Sequence, residues 1–123
     1  MTLKEISQKL VDMVKQGKNL EAIYELYGKD IESIEAADSP GGPRVAKGTD
    51  AVKAKNQWWI ENHDVHGSAV RGPFPHGDDR FCVIYEFDVT FKQSGQRFKM
   101  EEVAVYTVAG DKIVKEEFFY SMG

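Results

Sequence analysis

Apolar residues at the start of the chain recur at three- and four-residue steps, with Leu3, Ile6, Leu10, Met13 and Val14 on one stripe. That period is one face of a helix, and it predicts a helix from Leu3 to Lys15. Thr2 followed by Glu5 reads as a capping box, and Gly17 as a stop. Asn19 stands where it would cap a second, shorter helix carrying Leu20, Ile23, Tyr24 and Tyr27 on one side and ended by Gly28. Ile31 and Ile34 mark a short strand running to Ala37. The stretch 38–48 is too rich in Pro and Gly to continue a helix or a central strand; it reads as a loop of the length that often forms lids or binding loops. Thr49 or Asp50 then caps a third helix through Val52, Lys55, Trp59 and Ile60 to about Asn62.

The second half changes period. Strand patterns run over 65–70, 80–93, 96–109 and 112–120, joined by 72–78, Ser94-Gly95 and Gly110-Asp111. Short Gly-containing links between alternating segments mark a meander of hairpins. Helices first and an antiparallel sheet afterwards is the α+β arrangement, here as a single domain over 1–123. Alternation puts Phe81, Val83, Tyr85, Phe87, Val89 and Phe91 on one face. The next strand offers Phe98, Met100, Glu102, Ala104, Tyr106 and Val108, and the last offers Val114, Glu116, Phe118 and Tyr120. These aromatic-rich faces need cover, and the three helices are the available cover. The opposite faces mix Ile84, Val103, Val105 and Phe119 with charges, a composition that fits pairing with a second copy, so a homodimer is expected there.

Composition narrows the partners. At 123 residues, 41% hydrophobic and 29% charged, the chain has room for one core. A formal net charge of −4 and a pI near 5.4 lack the basic stripe that nucleic acid requires. No apolar run approaches a membrane span, and the N-terminus turns acidic at once, unlike a signal peptide. A lone cysteine, Cys82, suits a reducing cytoplasm.

Glu102 is the most informative residue, because it falls among apolar side chains on the face expected to point inward. A desolvated carboxylate there would have a raised pKa and could act as acid or base near neutrality. Glu116 shares that face, although a place near the sheet edge would leave it solvated. Asp38 precedes Ser39-Pro40 and equally suits an Asx-turn. His63 and His66 have a metal-like spacing, but the helix ends near Asn62 and no third ligand is evident, so no metal is expected. His76 reads as an exposed loop residue and Cys82 as packing. Of the adjacent Trp58 and Trp59 only one can face the core, and the other is left for the pocket mouth or an interface. Dinucleotide, P-loop and nucleophile-elbow motifs are all missing, so no cofactor is expected.

The order of elements resembles the SnoaL-like and ketosteroid-isomerase-like group of the nuclear transport factor 2-like superfamily. The resemblance rests on Gly48-Thr49-Asp50-Ala51-Val52 opening the third helix, Trp58-Trp59 within it, Gly95-Gln96-Arg97 after a hairpin, and the run 110–120 at the end. It implies a cone-shaped α+β barrel with a strongly curved antiparallel sheet, a pocket between its concave face and the helices, and frequent dimers through the convex face. The ketosteroid isomerases place their base just after the first strand, where Asp38 stands here. Their oxyanion donors have no counterpart: the matching helix stretch around Lys9 and Leu10 has no Tyr, and the matching strand position falls near Ala104. Losing such donors removes on the order of 3 kcal/mol of transition-state stabilisation, which argues against steroid isomerisation.

The resulting expectation is a pocket for a small hydrophobic ligand, with Glu102 and Asp38 as candidate catalytic groups. Tyr24, Tyr27, Trp59 and His63 are expected to line it from the first half of the chain. Tyr85, Phe87, Met100, Tyr106, Glu116, Phe118 and Tyr120 are expected to line it from the sheet. A lyase or isomerase acting by proton transfer, a non-catalytic binding protein and a dimeric interaction module all fit such a hollow.

Overall fold

The computed structural model describes residues 1–121. Helix α1 (Leu3–Lys15) and α2 (Asn19–Leu26) lead into β1 (Tyr27–Ile34) and the short β2 (Val45–Lys47). Helix α3 (Thr49–Asn62) precedes β3 (His63–His76), β4 (Arg80–Phe91), β5 (Gln96–Ala109) and β6 (Lys112–Phe119). The capping box of α1 is present in both directions: Thr2 Oγ1 accepts from the Glu5 amide, and Glu5 accepts from the Thr2 amide. Both bonds satisfy amides that the first helical turn leaves without partners. Gly17 follows with φ +76°, a left-handed conformation that closes the corner into α2.

The three helices pack on one six-stranded sheet of order β2-β1-β6-β5-β4-β3. The sheet is mixed and open rather than a wholly antiparallel barrel. From β3 to β6 it is an antiparallel meander, but β1 pairs parallel with β6. Alternation within each strand says nothing of which distant strand will lie beside it, so this crossover was not legible. Its consequence is that β6 is a central strand.

Several boundaries shift for related reasons. Tyr27 and Gly28 open β1 rather than ending a helix, since Tyr27 already has extended backbone at φ −87°, ψ 139°. Lys18, not Asn19, is the N-cap of α2, and its side chain makes no capping bond. Val45–Lys47 pairs with β1 as an edge strand inside the expected loop; three residues are too few to show a period. At the other edge β3 runs on to His76 through Pro73 and Pro75, which an edge strand tolerates because one side needs no ladder bonds.

One slip of register matters for the site. Between β5 and β6 the pairing passes from Thr107↔Lys115 to Val108↔Ile113, a bulge that skips Val114. Strict alternation would place Ile113 and Glu116 on opposite faces; with the bulge both are buried. The core they join contains Ile6, Leu10, Val11, Leu26, Ile31, Val52, Phe81 and Val83. No helix among the described residues is long and apolar enough to cross a membrane.

Candidate functional site

Beside that core the concave face of the sheet and the helices form a half-open cavity of about 660 Å³. Tyr85 and Phe87 of β4, Glu102 and Tyr106 of β5, and Glu116 and Phe118 of β6 form its floor, with Tyr27 from β1. Register explains the grouping: Tyr85 faces Glu102 across the β4–β5 ladder, and Tyr106 faces Glu116 across β5–β6. Leu10 and Val14 of α1, Leu20 and Ile23 of α2, and Lys55, Trp58 and Trp59 of α3 supply the cover. The cover mixes these apolar side chains with Lys15, Lys18, Asn19, Glu21, Lys55 and Asn56, one edge of the floor is aromatic, and a strip of polar groups runs along the floor from β5 to β1.

Both tryptophans line the hollow. Trp59 lies between His63, stacked at 4.5 Å, and Phe87 at 5.3 Å. Trp58 is held by the loop 38–48, because a Cβ on Gly41 would come within 2.5 Å of its ring. Only glycine allows that approach, and Ser39 of the same loop also lines the cavity.

The acids of this floor are in different circumstances. Glu116 is 1% exposed and has both oxygens engaged: Tyr27 donates its hydroxyl to Oε2, and Ser33 donates to Oε1 at 2.8 Å. Lys55 in turn donates to Ser33. Burial pushes the Glu116 carboxyl above its usual range, opposed by the Tyr27 bond, the Lys55 charge and the Ser33 bond. Glu102 has no hydrogen-bond partner among the described residues and lines the cavity. Burial first, then the charges of Glu35 and Glu116, push it from 4.5 to about 8, against a smaller pull from Lys55. A hydroxyl pair, Tyr85 and Tyr106 at 2.6 Å, completes the polar strip; burial raises both phenols far above their ordinary range.

Glu35, Lys55 and Ser33 went unrecognised from sequence. Glu35 follows β1 and also lines the cavity, with its carboxyl raised by burial against the opposing Lys55 charge. The Lys55 ammonium lies 3.7 Å from Glu35 Oε2 and 5.2 Å from the centre of the Phe118 ring. Signals existed: Ile31, Ser33 and Glu35 alternate onto one face, and Val52, Lys55 and Trp59 share one helical stripe. The two acids expected on the inward face, Glu102 and Glu116, are thus joined by a third, Glu35. Glu116 is not solvated, because β1 covers the side of β6 that a meander alone would leave as an edge.

Other expected site residues fall elsewhere. Tyr24 is 83% exposed on the outer side of α2. Asp38 is exposed and makes a loop bond, accepting from the Arg44 amide at 2.6 Å. His63 backs Trp59 from behind the wall, its Nδ1 2.8 Å from the Trp59 carbonyl. Met100 shares Glu102's face by register, yet it lies along a shallow outer groove with Lys99 and Glu101. Tyr120 is half-buried beyond β6, near enough to Glu35 and Glu102 that burial and those charges push it up to about 12. His66 bonds Thr90 on the exposed surface, and among the described residues no three His, Cys, Asp or Glu side chains converge as metal ligands would.

The profile of the SnoaL-like domain family matches residues 1–120. The chain belongs to the SnoaL-like family. A Mesorhizobium loti structure, provisionally named a SnoaL-like polyketide cyclase and carbohydrate phosphatase, is 43% identical and aligns with TM-score 0.91 over 98% of this chain and 100% of its own. A Burkholderia thailandensis protein of the nuclear transport factor 2-like type aligns at 0.82 with 19% identity, covering 98% and 92%. A Mycobacterium tuberculosis protein solved with estradiol-17β-hemisuccinate aligns at 0.75 with 18% identity, covering 99% and 96%. The last two establish the shared fold alone. No curated protein matches the sequence.

Proposed function

We propose that this SnoaL-like protein is a cofactor-independent isomerase, lyase or cyclase-type enzyme that moves a proton on a small, largely apolar molecule held in the cavity. Glu102 is the acid–base group in this reading. The observation that carries it is a carboxylate that lines a half-open cavity with no hydrogen bond among the described residues to hold it. With its pKa raised to about 8, Glu102 holds its proton in most molecules at neutral pH and gives it up in the rest. A group in that balance can both donate a proton to a developing oxyanion and take one from carbon. Glu116, bonded through both oxygens, is fixed in place, and Tyr27 and Ser33 hold it.

The test is exchange at carbon. With 1-tetralone as probe, deuterium uptake next to the carbonyl in D₂O, followed by NMR, should be catalysed by the native protein. In Glu102→Gln it should fall by about 10²–10⁴-fold while circular dichroism stays unchanged. Equal rates in the two proteins would remove Glu102 from the chemistry.

A second reading, binding without turnover, draws support from the steroid ester bound by the Mycobacterium tuberculosis neighbour. A ligand at a hundredfold excess over its Kd would stabilise the fold by about 2.7 kcal/mol. A compound that raises the melting temperature and is recovered undeuterated would favour this reading. We further infer a cytoplasmic homodimer through the convex face, where Phe119 is 55% exposed. Sedimentation velocity showing only monomer at micromolar concentration would refute the dimer.

A further inference from the structure

The charges around the cavity floor do not cancel, and what remains is acidic. Lys55 is already engaged: its ammonium donates to Ser33 and lies 3.7 Å from Glu35 Oε2, an atom shut off from solvent. Glu35 and Lys55 thus balance one another inside the wall. Glu116 is held differently, its two oxygens taking the hydroxyls of Tyr27 and Ser33. Glu102 has neither arrangement. It makes no hydrogen bond or ion pair among the described residues, and unlike the Glu35 oxygen it is only half-buried where it lines the cavity. Its neighbours come from several elements. Tyr85 faces it from β4, Glu116 stands on β6, Glu35 and Lys55 approach from the end of β1 and from α3, and Tyr120 lies beyond β6. Among the charges, those of Glu35 and Glu116 each act on Glu102 more strongly than that of Lys55, so the potential at its carboxyl is negative. Lys15, Lys18 and Glu21 of the rim are exposed, where water and salt screen them.

We propose that the cavity takes an apolar amine in its ammonium form, the cation seated against the Glu102 carboxylate and the apolar body against Leu10, Trp58, Trp59 and Phe87. A charge taken out of water must be paired, and Glu102 is the carboxylate of the floor left without a partner among the described residues. An anionic group has no such seat, because Lys55 is matched by Glu35 and the field around Glu102 repels it. The inference rests on Glu102 acting from the cavity and adds the ligand's charge to that reading. It also fits the chemistry: an ammonium beside Glu102 holds it as the carboxylate, the form that takes a proton from carbon. Burial otherwise keeps Glu102 protonated below about pH 8, so seating the cation at neutral pH releases that proton to solvent.

Three ligands on one skeleton read the charge by isothermal titration: 2-aminotetralin, tetralin and tetralin-2-carboxylate. At pH 7 the native protein should bind 2-aminotetralin about tenfold more tightly than tetralin, and tetralin about tenfold more tightly than the carboxylate. Titrations in phosphate and in Tris should show about one proton released per amine bound, and none for tetralin. Amine affinity should rise about tenfold per pH unit up to about 8, while tetralin affinity stays flat. Glu102→Gln should bring the amine to the tetralin level and abolish the proton release. Its tetralin affinity, unchanged, reports that the cavity is intact; should the variant fail to fold, the order of the three ligands and the proton release in the native protein carry the test. An amine bound no more tightly than tetralin, a carboxylate bound more tightly than tetralin, or an amine preference that survives in Glu102→Gln would overturn the cationic ligand. Exchange of 1-tetralone that still depends on Glu102 would then leave the acid–base reading standing. If none of the three ligands binds the native protein and 1-tetralone is not exchanged, the cavity reading falls, and the cationic ligand with it.

Discussion

Glu116 and Glu102 are the same residue type on neighbouring strands of the same concave face, yet the fold treats the two ends of the cavity floor differently. Around Glu116 the chain has closed every bond: Tyr27 and Ser33 engage both oxygens, and β1 seals the far side. Around Glu102 it has closed none among the described residues, and the residue lines the cavity. Burial raises both carboxyls, but hydrogen bonds oppose the shift in the first and not in the second. A raised pKa alone thus does not separate a structural acid from a reactive one. The count of protein partners does, because a carboxylate held through both oxygens is fixed in place while one held through neither can turn to a ligand.

The comparison makes its largest demand on stability at the closed end. Glu116→Ala should cost about 3 kcal/mol in urea unfolding, through the void and the two buried hydroxyls left without their acceptor. A cost under about 1 kcal/mol would mean that the Tyr27–Glu116–Ser33 group is not structural.

At the open end the effect should depend on pH and run the other way. Below the ordinary value of 4.5 Glu102 is protonated both folded and unfolded, and stability is unaffected. Between 4.5 and about 8 the folded chain keeps a proton that the unfolded chain releases, so stability falls as pH rises; above about 8 the loss is complete. Glu102→Gln should match the native protein near pH 4 and exceed it by about 2 kcal/mol at pH 9, allowing for screening through the cavity mouth. A difference that does not vary with pH would place Glu102 in water. The smallest effect belongs between the two ends. Tyr85→Phe leaves the Tyr106 hydroxyl without its 2.6 Å partner and should cost about 1 kcal/mol at any pH from 5 to 9. A pH-dependent cost would show that the hydroxyl pair is coupled to Glu102.

Local pattern was enough to read α1 with its capping box, the last residue of α3 though not its N-cap (Gly48 rather than Thr49 or Asp50), and most of the inward faces of β4 and β5, including Glu102. Each of these rests on neighbours a few positions apart, where side-chain period and backbone geometry are tied together. The chain's own residues therefore dictated three helices, a meander and an acid on its inward face. The parallel seat of β1 beside β6, the bulge that turns both Ile113 and Glu116 inward, and the meeting of Glu35 with Lys55 came only with the tertiary structure. The first joins residues 83 to 86 positions apart and the last residues 20 apart. Nothing in a local period records such distances, because they depend on which strands and helices lie side by side once the core has closed.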